Sequence, residues 1–406
     1  MNIFDKAVDR RNSNADKWNK ELIEEICGNP NADAFWVADM DLQTSPLIRE
    51  VLQKETDLAV PGYATNKNLL TNFINFVKHK HDWDVDDDHV TYAQGMLHAI
   101  SLALNMFTNE GDEVLLPYPV YQPFVHLISN SNRVVKRFDL TENDGKFSFD
   151  REKYSLLSKS CKAIMFCSPH NPSGVVFKKE DLEFILTLAK ERGQLVLSDE
   201  IHSDLVHPSA KHYPMGLANK EIHAKCITFM APSKTFNIAG EHCAFAIFED
   251  KDMIKSYKTV QKRLFLNAPG YFAGTLAQAV YSPENYDFLD AIDTYLEDNV
   301  TLMDNFFKTE CPEVKMANAK ASFITFLDFS EIWPKIVEDS KKHPEYYDKD
   351  HYILSHFLGH YANICCNDGS WFGSGYEKHV RFNYGTSREC VLNALKAIKE
   401  AVNSLK

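Results

Sequence analysis

Residues Cys226 to Gly240 read CITFMAPSKTFNIAG. The run from Cys226 to Ala231 is apolar and has the length of a strand buried on both faces. Pro232 breaks it, and Ser233 and Lys234 follow at once, with Asn237 and Gly240 behind them. A lysine is ordinarily solvated. One that follows a buried strand and a proline turn, beside a hydroxyl, is placed differently. Near a cation or an apolar wall it loses its proton more easily than its usual pKa of about 10.4 implies. The neutral amine can then attack a carbonyl.

The same pattern extends in both directions. HVTYAQ, DEVLLPYP, RVVKRFDL, KAIMFCSP, QLVLSDEI and CAFAIFED read as strands. GMLHAISLALNMF reads as a helix opening on a glycine, and KEDLEFILTLAKERG as an amphipathic helix closed by Gly193. SPLIREVLQKE starts a helix with Ser45 as its cap and Pro46 at its first position. Strands alternating with helices predict an α/β fold with a mostly parallel central sheet flanked by helices. After about residue 285 the text changes. YDFLDAIDTYLEDNVTLMDNFF is one long helix, SFITFLDF and HVRFNYG are strands, and SRECVLNALKAIKEAVNSL is a C-terminal helix. This predicts a large domain over 46–285 and a smaller α+β domain over 286–406. Residues 1–45, with few periodic segments and an extended AFWVADMDL at Ala34 to Leu42, are expected to join the smaller one.

A chain of 406 residues suits two domains. The formal net charge is −13 with no basic tract, so nucleic acid is not an expected partner. No apolar run is long enough to span a bilayer, and a membrane partner is not expected. The opening MNIFDKAVDRRNSNADKW lacks the apolar stretch of a secretory leader. Nine cysteines lie scattered without a paired CxxC framework, which predicts reduced thiols in a cytoplasmic protein.

In open α/β sheets ligands bind beyond the carboxyl ends of the strands. Four segments place polar residues there. QLVLSDEIH ends on Asp199 and Glu200; an acid holding Mg²⁺ in a nucleotide site would need a GxxxxGK[ST] loop, which the chain lacks. FCSPHNPSG fixes Asn171 between prolines, and by itself this is no more than a constrained turn. AQGMLHA puts Gly95 at a helix start, where free N–H groups can receive a phosphate. The fourth is APSK. Together they compose one site. An aldehyde cofactor needs a lysine for its carbonyl, a carboxylate at its ring nitrogen, and amides and hydroxyls for its phosphate. Pyridoxal 5′-phosphate is that cofactor.

These segments, in the order GY, strand-GM-helix, PVY, NPSG, SDE, SK and a late R-x-N, resemble the fold-type I pyridoxal-phosphate enzymes of the aspartate-aminotransferase superfamily along nearly the whole chain. The resemblance implies roles. Lys234 would join the cofactor aldehyde and act as general acid and base. Asp199 would partner the ring nitrogen, and Asn171 the phenolic oxygen, near which His202 stands where many relatives have a tyrosine. Tyr121 would stack on the ring. Gly95, Met96 and Ser233 would hold the phosphate, and Tyr63 would reach it from a second subunit, so a homodimer with shared active sites is expected. Arg381 would clamp the substrate α-carboxylate, a bidentate task that suits a guanidinium. One departure stands out: eight residues after the lysine, where many aminotransferases carry a phosphate-facing arginine, this chain has His242.

The N-terminal text narrows the resemblance. FD…R…KW followed by FWVADMDLQTSP, with SDEIHSDLV and APSKTFNIAG, is similar to the MalY/PatB branch of C–S lyases, the cystathionine β-lyases of this fold. Trp36 to Asp41, with Asp39 as a substrate contact, would then line the mouth of the site, although Trp36 and Met40 are as readily read as core. The implied reaction is α,β-elimination on cystathionine or a related β-thio amino acid. It yields a thiol, pyruvate and ammonia. The alternatives are a class I/II aminotransferase, which would need an added keto acid, and a regulatory protein that binds the cofactor and would tolerate loss of Lys234. No metal is expected. His356 and His360 share a helical face in HFLGH near Cys365 and Cys366, but no second ligand spacing supports them. The acidic run Asp86 to Asp88 reads as a solvated loop.

Overall fold

The computed structural model describes residues 2–347 and 351–405. Seven strands form the central sheet: β1 (Val90–Ala93), β2 (Glu113–Tyr118), β3 (Val134–Asp139), β4 (Ala163–Cys167), β5 (Leu195–Asp199), β6 (Lys225–Met230) and β7 (Ala244–Phe248). Their order is β1-β7-β6-β5-β4-β2-β3. Only β7 runs antiparallel to its neighbours; the remaining pairs are parallel. Six of the seven lie within their expected segments, and β6 starts at Lys225, one residue ahead of the expected Cys226. Both faces of the sheet are covered, which is why its strands read as continuous apolar runs. In β7, Phe245 and Ile247 enter one apolar cluster while Ala244, Ala246 and Phe248 enter the other, the two-residue period of a strand. Phe73, from the helix Leu69–His81, stacks on Phe245 at 4.0 Å.

A second sheet contains β8 (Lys315–Met316), β9 (Ile324–Asp328), β10 (Asn367–Asp368) and β11 (His379–Asn383) in the order β8-β9-β11-β10, all antiparallel. The long helix Tyr286–Glu310 and the C-terminal helix Arg388–Ser404, capped by Ser387, bury apolar residues in the same cluster as Leu327 of β9 and Val380 of β11. That cluster also holds Phe73 and Phe245, so the core is continuous from the central sheet into the C-terminal region.

The N-terminal segment is more ordered than its sequence suggests. Lys20–Cys27 is a helix capped by Asn19 and closed by Gly28 in the left-handed conformation. Asp33–Ala34 then pairs in parallel with Ile364–Cys365. The helix rests on Gly359, where a Cβ would lie 2.1 Å from the Cys27 carbonyl oxygen, so only glycine permits the approach. Asp87–His89 is a short exposed helical turn with Asp88 bridged to Lys251 at 2.6 Å. Among the described residues no helix is long and apolar enough to cross a membrane.

Candidate active site

Residues just past the carboxyl ends of β1, β2, β4, β5 and β6 converge on a cavity of about 780 Å³. Gly95 and Met96, Tyr121, Asn171, Asp199 and His202, and Ser233 and Lys234 all line it. Arg381, from the middle of β11, enters from the opposite side. Of the residues expected at the site, Asp39, Met40, Asp41 and Tyr63 lie outside this lining.

Lys234 Nζ donates to the Ala38 carbonyl at 2.6 Å. Burial and the neighbouring Arg381 guanidinium pull its pKa down to about 8, against the opposing pull of Asp39 and Asp199. Asp199 ends β5 and is buried; burial pushes its carboxyl up to about 7, although the Ile201 N–H, bound at 2.9 Å, works the other way. His202 pairs through Nδ1 with the Ser322 hydroxyl at 2.8 Å, and its buried Nε2 has no partner. Burial holds this imidazole neutral by depressing its pKa well below the usual value.

Arg381 is buried and pinned. Nη1 donates to Asn171 Oδ1 at 3.1 Å; Nη2 donates to the Trp36 carbonyl at 2.7 Å and to Asn367 Oδ1 at 2.6 Å. Its Nε has no hydrogen-bond partner. Because Asn171 spends its oxygen on Arg381, its NH₂ is the end left for a ligand. The phosphate end of the cavity is a helix start. Gly95 precedes the helix Met96–Phe107 with φ 95°, and no side chain caps it, so the first N–H groups stay open. A Cβ at Gly95 would come 3.3 Å from His242 Nδ1. His242 therefore stands at this end of the cavity, which it also lines.

One expectation needs correction. Asp39 does not line the cavity: its carboxylate is gripped by Arg10 at 2.7 and 2.9 Å, and its carbonyl receives Lys17 and Asn383. Tyr63, expected to serve a second subunit, is fully exposed in an irregular stretch. The stretch from Trp36 to Asp41 divides. Trp36, Val37 and Ala38 line the cavity, Met40 is core, and Asp41 is tied to Arg10 and Lys17 at 2.7 Å each. Asn367 and the carbonyls of Trp36 and Ala38 were not foreseen. A backbone oxygen carries no residue signature, and β10 is too short to show a pattern. His356 and His360 do not form a metal site: His356 Nδ1 meets the Tyr346 carbonyl and His360 stacks on the Tyr346 ring.

The family model for aminotransferase class I and II matches residues 38–398. The chain belongs to this family. Among its curated relatives is cystathionine β-lyase PatB of Bacillus subtilis, 33% identical over 403 residues, covering 98% of this chain and all of that one. Cystalysin of Treponema denticola, solved with pyridoxal 5′-phosphate, superposes with a TM-score of 0.88 at 29% identity over the whole of both chains. A pyridoxal-phosphate-bound putative aminotransferase of Clostridium difficile gives 0.89 at 28% identity, covering 98% of this chain and 99% of that one.

Pyridoxal 5′-phosphate is the cofactor of this family member, and the cavity fits it on physical grounds. The unpartnered His202 Nε2 and Arg381 Nε are buried polar atoms that need a bond. Asp199 is a buried carboxyl group on the cavity lining, suited to a cationic ring nitrogen, and the uncapped helix start and Ser233, both on that lining, suit an anion.

Proposed function

We propose that this protein is a C–S lyase that eliminates a thiol from the β-carbon of a sulfur amino acid such as L-cystathionine. The observation that carries the reading is the placement of Lys234 and Arg381 in one cavity: one group able to move a proton, one able to fix a carboxylate. Bound pyridoxal phosphate would supply an aldehyde for the substrate amine and an aromatic system to take up the electron pair left at Cα. Asp199 would hold the proton on the ring nitrogen. His202 Nε2 and the Asn171 amide would bond the ring oxygen, and Tyr121 would cover one face. The open N–H groups after Gly95, with Ser233, would anchor the phosphate.

Arg381 would bind the substrate α-carboxylate with the donor face its protein partners leave free. Lys234 Nζ, drawn toward neutrality at working pH, would take the Cα proton and deliver a proton to the departing sulfur. Trp36 and Trp371 stand in the cavity wall, where their rings would limit the access of water. The released aminoacrylate would take up water to give pyruvate and ammonia, so the reaction would need no keto acid.

The decisive test is pyruvate release from L-cystathionine by cofactor-saturated protein with no keto acid present. Steady multiple turnover is expected. No pyruvate, with an added keto acid converted instead to its amino acid, would replace the lyase by an aminotransferase.

Three further points belong to the proposal. Residues 46–285 act as the body that holds the cofactor, and 286–406 with 1–45 as the body that brings in Arg381. Two copies pair so that Tyr63 of each reaches the other's phosphate; the exposed Leu58, Val60, Tyr63 and Phe265 support this, and a fully active monomer would count against it. The nine cysteines, which form no disulfide among the described residues, support a cytoplasmic setting.

A further inference from the structure

Glu142, Asp328 and His379 meet outside the cavity lining. Glu142 lies in a small hairpin of the strands Thr141–Asn143 and Lys146–Ser148. Asp328 ends β9, His379 opens β11, and the two residues are directly paired across the second sheet. One ligand atom from each lies within 4.8 Å of the others. His379 Nε2 stands 3.2 Å from Glu142 Oε2 and 3.7 Å from Asp328 Oδ1. His379 is only 6% exposed, yet neither of its ring nitrogens makes a hydrogen bond. A buried polar group left in that state calls for a partner.

We propose that these three residues bind a divalent transition-metal ion, with Zn²⁺ the best-matched. The donor set is one imidazole and two carboxylates, which suits such ions. With metal–ligand bonds of about 2.1 Å, the separations of 3.2 and 3.7 Å subtend roughly 100° and roughly 120° at the ion, on either side of the tetrahedral angle. Asp328 Oδ1 is already oriented by the Ser330 N–H at 2.7 Å, the outer-shell support that metal carboxylates require. Glu142 and Asp328 side chains remain 23% and 21% exposed, leaving an entry path and room for water as a fourth ligand.

The ion would be structural. The hairpin rests on the second sheet, with the Asn318 N–H donating to the Gly145 carbonyl at 2.9 Å. A bond from Glu142 to the ion would fasten the hairpin to the ends of β9 and β11.

The test uses the holoenzyme, stripped with a chelator and titrated with Co²⁺ as a visible-spectrum probe, beside Glu142→Gln and His379→Gln. Wild type is expected to take up one equivalent more than either variant, to show the intense bands of a tetrahedral Co²⁺ ion, and to lose them to Zn²⁺. Zn²⁺ should raise the melting midpoint of wild type and leave that of Glu142→Gln unmoved. Glu142 is on a partly exposed hairpin, so its variant carries the test alone should the buried His379 variant not fold. Equal Co²⁺ uptake by wild type and Glu142→Gln would overturn the site and leave a histidine paired with two carboxylates.

Discussion

The wall of the cavity made by the central sheet offers side chains, whereas the wall made by residues 36–38, with residues 39–41 behind it, offers its main chain. At the ends of β5 and β6, Asp199 and Lys234 are set by strands whose backbone is already fixed by their neighbours. Across the cavity, the Trp36 and Ala38 carbonyls receive Arg381 and Lys234, and the Val37 and Asp39 carbonyls both receive Asn383 Nδ2, at 2.6 and 2.7 Å. The polar side chains of this second wall are fasteners. Arg10 holds Asp39 and Asp41, the fully buried Lys17 holds Asp41, Trp18 Nε1 donates to Asp41 at 3.0 Å, and Trp36 Nε1 donates to the Lys17 carbonyl at 2.9 Å. A substitution on the first wall should therefore alter chemistry directly. On the second it should act through position and stability.

The largest effect is expected from Lys234→Ala, which removes the proton-moving group and leaves the phosphate and ring contacts in place. Turnover should fall about 10²- to 10⁴-fold, the usual worth of a positioned acid–base group, with reversible cofactor binding retained. Pyruvate kinetics and cofactor absorbance on the same sample check it. Retained turnover would break the assignment of chemistry to the first wall.

Asp41→Asn probes the fasteners. It leaves the buried Lys17 ammonium without its 2.7 Å partner. Breaking a buried pair from one side costs about 3–5 kcal/mol, so the denaturation midpoint should drop sharply. Activity per folded molecule at low temperature should fall much less than in Lys234→Ala. A change in activity with unchanged stability would mean that the second wall works through its side chains after all.

Arg381→Lys lies between the two walls, because Arg381 bonds to both. A lysine cannot satisfy Asn171, Asn367 and the Trp36 carbonyl at once. Leaving buried partners unsatisfied costs about 1–3 kcal/mol, or about 5- to 150-fold in kcat/KM. The loss should appear mainly in KM for the amino acid.

The comparison also explains what could be read in the sequence. The central strands were legible because burial on both faces leaves an unbroken apolar run. Lys234, Asp199, Asn171 and Gly95 were legible because strand ends are where polar residues do not otherwise belong. The helix Lys20–Cys27 was not: at eight residues, with Ile23, Ile26 and Cys27 as its buried stripe, it is too short for periodicity to stand out, although Asn19 and Gly28 mark its two ends. The ion network of Arg10, Lys17, Asp39 and Asp41 spans a loop without periodic spacing. Asp39 looked like a substrate contact because an acid in a mouth-lining stretch has no local sign that a residue 29 positions earlier has claimed it.

The smallest effect, and the sharpest check on the second wall, is Asp39→Asn. The Asp39 carbonyl keeps its place in this variant, and the lost carboxylate is partly exposed, so folding should change little. With no substrate contact to lose, KM for the amino acid should stay within about twofold, well under the 1.4 kcal/mol of a tenfold change. A subtler shift is expected in how apo protein captures the cofactor. That step needs the neutral Lys234 amine, and Asp39 helps to hold its proton on against burial and Arg381. In wild type the capture rate should rise with pH and level off above about 8, since below that value protonated lysine accumulates. Removing the Asp39 charge withdraws support from the ammonium, lowers the lysine pKa further, and should move the leveling point to lower pH. Rapid-mixing measurement of cofactor uptake across pH separates the possibilities. A raised KM with an unmoved profile would return Asp39 to the substrate. An unmoved KM with an acid-shifted profile would leave it as a remote charge that sets the lysine through space.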